Sequence, residues 1–176
     1  MTPETIATAP TALSVADQLK LGLRRLGKAV VVITTRHDDR RWAMVATAIS
    51  ELSMEPPSLL ACVNRNASLY EPLTAGADFC INILHHDQLG TALACSSAKG
   101  EDRFLTGDWA ADERGTPYLR WAQACFFCTH AAQFEHGTHV VVIGNVQRVD
   151  IDREADPLIY LDGSYSRAVR LADAQR

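Results

Sequence analysis

Two short stretches of this chain carry residue types suited to holding a flat, anionic ligand. Ala46, Thr47, Ala48, Ile49 and Ser50 end a strand-like run in small or hydroxylated side chains. Side chains of that size let a planar ring lie against the backbone and reach its N–H groups. Asn64, Arg65, Asn66, Ala67 and Ser68 follow an apolar run and open a segment whose pattern predicts a helix over residues 68–75, with Ser68 as N-cap. Helix N-termini present free N–H groups to anions. Arg65 and Ser68 would add a charge and a hydroxyl to a phosphate site. Each stretch also has a plainer reading: a half-buried strand of alternating character, and a capped helix with a solvated arginine.

The elements that must position these residues follow from the pattern of the chain. Residues 15–27 show apolar positions at helical spacing behind Ser14 and Asp17, which predicts one amphipathic helix ending at Gly27. Residues 29–35 read as a β-branched strand. A polar turn at residues 37–40 returns the chain antiparallel over residues 42–53. Glu55-Pro56-Pro57 marks a bend, and residues 59–63 a third strand. Further strands are expected at 79–84, 123–134, 139–150 and, last, 158–161. A second helix is expected at 86–96, and an irregular surface excursion at 108–117. Many strands meeting at tight turns, with few helices, predict a mainly β fold with barrel tendency. No Gly-x-Gly-x-x-Gly follows a strand, which argues against a doubly wound dinucleotide fold.

Composition narrows the classes. The 176 residues suit a single domain, here placed at 15–168 between a loose tail at 1–14 and another at 169–176. A net charge of −4 with scattered basic residues argues against nucleic acid or an anionic membrane as partner. No apolar run approaches the ~20 residues of a membrane helix. The first residues carry Glu4 and no early basic residue, unlike a secretory signal, so the cytoplasm is the default expectation. Five cysteines without framework spacing read as reduced, mostly buried thiols. Cys125 and Cys128 sit three apart in a strand-like run and should face opposite ways. No metal-ligand spacing, nucleophile elbow or phosphate loop is apparent.

At residues 46–68 the chain resembles the short-chain flavin reductases, the small partners of two-component flavin monooxygenases. The likeness runs from about residue 19 to 165. It implies a split β-barrel, usually homodimeric, with flavin near the subunit interface. It implies FMN or FAD as flavin and NADH or NADPH as co-substrate, with reduced flavin passing to a separate monooxygenase. By the resemblance, Ala46, Thr47, Ala48, Ile49 and Ser50 form the ring slot, and Asn64, Arg65 and Ser68 the phosphate site. Arg103 and Phe104, in Lys99-Gly100-Glu101-Asp102-Arg103-Phe104, would touch phosphate and ligand, and Asn82 matches a further family position. His139, in Gly137-Thr138-His139, would lie near the stacked nicotinamide, as catalytic and nicotinamide-binding residue. Gly163 and Tyr165 would contact the pyridine nucleotide. The bland alternatives are a surface ion pair for Arg103, a structural hydrogen bond for Asn82 and an edge aromatic for Tyr165. Two further functional readings stay open: a flavoprotein that keeps its flavin and reduces another acceptor, and a flavin-binding module without turnover.

Overall fold

A computed structural model of the chain describes residues 13–171. In chain order its elements begin with α1 (Val15–Leu23), β1 (Lys28–Ala29), β2 (Val31–His37), β3 (Arg40–Ala46), β4 (Ile49–Met54) and β5 (Pro57–Asn64). They continue with α2 (Tyr70–Thr74), β6 (Phe79–Ile83), α3 (Leu89–Ser97), β7 (Trp109–Ala111) and β8 (Pro117–Leu119). The last four are β9 (Ala124–His136), β10 (His139–Asp150), β11 (Leu158–Leu161) and β12 (Ser164–Arg167). The expected tail at 1–14 lies outside the described residues up to residue 12, as does the end of the expected tail at 169–176.

The main sheet has seven strands in the order β3-β2-β6-β9-β10-β5-β4. Its two outer strands, β3 and β4, are consecutive in the chain, and only Thr47 and Ala48 separate them. In a flat sheet, six strand spacings would set these edges about 28 Å apart. The Ala46-to-Ile49 link spans at most about 11 Å. The sheet therefore rolls until its edges meet, giving a barrel split at one seam and joined there by two residues.

This corrects the expectation of one return strand over 42–53. The β3 ladder on β2 ends at the pair Val31–Ala46. The preceding residue, Val30, donates instead to the Leu158 carbonyl at 2.8 Å. With no partner left on that side, the chain crosses the seam and pairs Ile49 with Ala61 of β5.

Seven strands with alternating residues fill the interior. Val31, Ile33, Ala61, Val63, Phe79, Ile81, Val140 and Val142 form one buried cluster, closed at an end by Leu69 and Leu73. A second cluster lies outside the sheet, where Val30, Val32, Cys80 and Phe127 pack under Ala92 and Cys95 of α3 and Leu119 of β8. Strand β2 is thus buried on both faces over residues 31–35, a β-branched stretch with no alternation of buried and exposed positions. Cys125 belongs to the outer cluster and Cys128 to the inner one, on opposite faces as their spacing requires. All five cysteines are free thiols.

Turns account for the remaining differences. Asp38 and Asp39, at φ 50° and 58°, make the two-residue hairpin turn between β2 and β3. Residues 108–117 are not irregular throughout, because β7 pairs with β8. The strand at 158–161 is not the last. Asp162 and Gly163, at φ 49° and 82°, turn the chain back so that β12 pairs with β11. Helix α1 has Ser14 as N-cap but ends at Leu23, short of Gly27, and buries none of its residues. Its apolar stripe, with Leu19 and Leu23, stays exposed.

Candidate active site

The seam presents backbone. Ala48 accepts a 2.9 Å hydrogen bond from the Cys62 N–H, which pins the link to β5. The N–H groups of Thr47 and Ala48 meet no acceptor among the described residues. A hollow of about 220 Å³ opens beside them, lined by Val30, Val45, Ala46, Thr47, Tyr160 and Tyr165. The β11–β12 hairpin supplies its far wall. Tyr160 and Tyr165 face each other across the ladder, edge to face with ring centres 5.4 Å apart. Burial, then the neighbouring Tyr160, pushes the Tyr165 phenol above the ordinary tyrosine value, so it stays protonated through neutral pH. An adjoining hollow of about 350 Å³ shares Thr47 and Tyr160 and adds Gly163, Lys20, Arg24 and Lys28.

The second stretch forms a turn next to the seam. The Asn64 side-chain oxygen accepts from the Asn66 N–H at 2.8 Å, and the Arg65 N–H donates to Thr138 at 3.0 Å. Ser68 is not a helix cap. Helix α2 starts at Tyr70 behind Leu69, which makes no side-chain cap. The Ser68 hydroxyl instead accepts from Arg103 Nη1 at 2.7 Å. The same nitrogen donates to the Ala43 carbonyl on β3, and Arg103 Nε donates to Ala98 at 2.9 Å. Arg103 thereby joins the end of α3, the 64–68 turn and the strand leading to the seam.

Arg65 forms an ion pair with Glu135 near the end of β9. The other Glu135 oxygen accepts from the Tyr70 hydroxyl at 2.6 Å. That hydrogen bond, followed by burial, raises the Tyr70 phenol above its ordinary value.

Two expected ligand residues have structural places instead. Asn82 is fully buried. Its amide donates to Val32 at 2.9 Å and to Thr34 at 3.2 Å, and its oxygen accepts from the Leu119 N–H at 2.7 Å and from the Cys125 thiol at 3.4 Å. No atom is left to meet a ligand. Phe104 is 8% exposed, edge-on to Trp109 at 5.0 Å, with the Arg41 guanidinium 4.3 Å over its ring. The guanidinium covers one face of the ring, and the ring is buried in the outer cluster.

His139 is exposed at the start of β10, opposite Asn64 in register, with Nδ1 2.9 Å from the Thr138 hydroxyl. It does not line the hollow that Tyr165 lines. The structure thus joins Ala46, Thr47 and Tyr165 in one hollow and Ser68 and Arg103 in one contact. Gly163 borders the adjoining hollow, while Ser50 lies exposed on β4 beyond the seam. Sequence reasoning missed Tyr160, Glu135 and Tyr70. The Asp162-Gly163 pair between two tyrosines is a hairpin signal that would have found Tyr160. Glu135 carries no local signal, because its partner lies seventy positions away.

Among the described residues, His85, His86 and Asp156 bring three metal-type donors together. Arg167 Nε lies 2.9 Å from both Asp156 oxygens, and His85 Nδ1 lies 2.8 Å from Asp87. A guanidinium on the Asp156 carboxylate opposes a cation there, and the contacts fasten the β11–β12 hairpin to the entrance of α3.

The flavin reductase like domain model matches residues 23–168. The chain belongs to the flavin reductase-like family. It is 37% identical over 157 residues to the reductase component of an FADH(2)-dependent resorcinol hydroxylase from a Rhizobium species, covering 88% of each chain. It is 36% identical over 156 residues to the FMN reductase (NADH) RutF of Agrobacterium fabrum, covering 85% of this chain and 89% of the other. The NADH:FAD oxidoreductase SgcE6 of Streptomyces globisporus, solved in complex with NAD and FAD fragments, superposes with a TM-score of 0.82 at 25% identity, over 88% of this chain and 93% of that one. The split barrel is thus the fold of flavin reductases, and the residues at its seam fit a flavin. Small side chains and two unpartnered N–H groups suit a planar acceptor edge, and Arg65, Ser68 and Arg103 suit its phosphate.

Proposed function

We propose that this protein is an NADH-dependent flavin reductase that acts on FMN or FAD and releases the reduced flavin to a separate monooxygenase. The observation that carries the reading is the pair of free Thr47 and Ala48 N–H groups, set between the tyrosine-walled hollow and the 64–68 turn. When both ligands are bound, reduced nicotinamide supplies a hydride from C4 and flavin N5 receives it.

The protein's own work is alignment and charge. The seam amides stabilise the negative charge that gathers on the ring edge during reduction. Arg65, with Ser68 and Arg103, holds the phosphate. Tyr160 and Tyr165 flank the place where the nicotinamide lies, and Lys20, Arg24 and Lys28 line the adjoining hollow, where a pyrophosphate is favoured. No side chain need act as a strong acid or base, so proximity and orientation supply the acceleration.

The working unit of the proposal is a homodimer. Its support is uncovered apolar surface: Leu19, Leu21 and Leu23 on α1, Met54 on β4 and Phe134 on β9 are each at least 48% exposed. No described helix is long and apolar enough to cross a membrane.

Mixing purified protein with NADH and free FMN or FAD, and following nicotinamide absorbance, tests the function. Catalytic loss of absorbance that saturates with added flavin supports it. Tight retention of one flavin without turnover opposes it.

A further inference from the structure

We infer that Glu135 is a built-in competitor for the flavin phosphate: its carboxylate occupies Arg65 when flavin is absent and weakens the hold on phosphate when flavin is present. This rests on the reading of Arg65 as a phosphate contact.

The placement is specific. Asn64 pairs with His139, and His139 pairs with His136, so the ladder sets the Arg65 turn beside the end of β9. There Glu135 meets Arg65, and both side chains are about half exposed, at 53% and 46%. Packing does not dictate the position. β9 is buried as far as Cys128, but its residues from Ala131 onward are exposed. What holds the carboxylate is the Tyr70 hydroxyl at 2.6 Å, from a helix anchored in the core by Pro72 and Leu73.

An exposed ion pair adds little to folding. Its consequence here is for binding. A phosphate that approaches Arg65 must share the guanidinium with an anion already present, and it feels that anion's repulsion. Tyr70 keeps the carboxylate from swinging away. The result is an anion site with a lowered affinity, which suits a flavin that has to leave after reduction. Glu135 does not touch the reacting atoms. It is a positioning residue that acts through Arg65.

The test compares FMN with riboflavin, which lacks the phosphate, on the full chain. Binding of both is measured by flavin fluorescence for the parent, Glu135→Gln and Arg65→Ala. The glutamine oxygen still accepts from Arg65, and its NH2 donates to the Tyr70 oxygen where the carboxylate accepted from it, so both contacts are kept while the charge is removed. Glu135→Gln is expected to tighten FMN about two- to fivefold, the range for a partly exposed charge pair. Riboflavin should bind variant and parent alike. In turnover, the KM for FMN should fall by the same factor, with no rise in kcat. Arg65→Ala should weaken FMN and spare riboflavin.

If Arg65→Ala behaves so but Glu135→Gln leaves FMN affinity unchanged, or weakens it, the competition is refuted while the phosphate reading stands. If Arg65→Ala affects both flavins equally, the phosphate reading falls and the inference with it.

Discussion

Ala46 and Ile49 stand on opposite edges of a seven-stranded sheet, yet two residues join them. Ala46 ends its ladder opposite Val31 of β2, and Ile49 begins another opposite Ala61 of β5. Neither ladder reaches Thr47 or Ala48, so their N–H groups are left unclaimed where the barrel closes. Backbone donors of this kind are free only where pairing stops, which ties the candidate site to the topology.

Filling the hollow should remove the function without unfolding the barrel. Thr47→Trp puts an indole into the 220 Å³ space between Val30, Val45 and the two tyrosines. Thermal unfolding should shift by no more than a few degrees, while flavin-dependent NADH oxidation is lost. Retained turnover would place the flavin elsewhere.

Arg65→Ala removes a charge-assisted hydrogen bond, worth about 1.5–3 kcal/mol. The KM for FMN should rise roughly 10–100-fold, while kcat at saturating flavin changes little. Steady-state kinetics over a wide flavin range separates the two effects.

Asn82 is a stability residue on this account. Asn82→Ala leaves the Leu119 N–H and the Thr34 hydroxyl short of a buried partner, at a cost of about 2–4 kcal/mol. The melting temperature should fall by roughly 5–15 °C. Turnover per folded molecule and the KM for flavin should match the parent below that transition. A selective rise in the flavin KM would return Asn82 to the ligand site.

The hairpin that carries Tyr165 is held by Arg167 on Asp156, with His86 and then His85 contributing further attraction. The Arg167 hydrogen bonds hold the Asp156 carboxyl below its ordinary value. A depressed acid contributes stability above its unfolded value and loses it as pH falls through the folded one. The KM for NADH should therefore be flat from pH 7 to about 5 and rise only below about pH 4. Asp156→Asn should raise it at neutral pH.

The thiols should be inert. Burial pushes Cys95 up to about 11 and Cys128 up to about 12, and raises Cys80 as well. Cys62 is the only cysteine that is not fully buried. A thiol reagent at pH 8 should label native protein at no more than one site and leave activity intact. Denaturant should expose all five.

Strand positions were legible where the period was clear and both ends were punctuated. The hairpin around Asp38-Asp39 and the whole of β10 stand as the pattern predicts. The break at Thr47-Ala48 was not legible, because nothing in residues 42–53 interrupts the strand. It comes from Val30 turning to Leu158, a contact 128 positions away. The site divides in the same way. Residues 46–50 and 64–68 could be found as segments with suitable side chains. That Ser68 serves Arg103 rather than a helix, and that Arg65 is shared with Glu135, depends on distant strands and on a helix that starts two residues late. The apolar stripe on α1 was visible, but periodicity marks a face without saying what covers it.

The central claim is that flavin lies on the seam, and a crystal structure grown with FMN tests it most directly. The account predicts the ring edge within hydrogen-bond distance of the Thr47 and Ala48 N–H groups, with the phosphate on Arg65 and Ser68. Flavin seated instead in the hollow lined by Asp78, Arg114 and Arg148, with the seam amides bare, would contradict it.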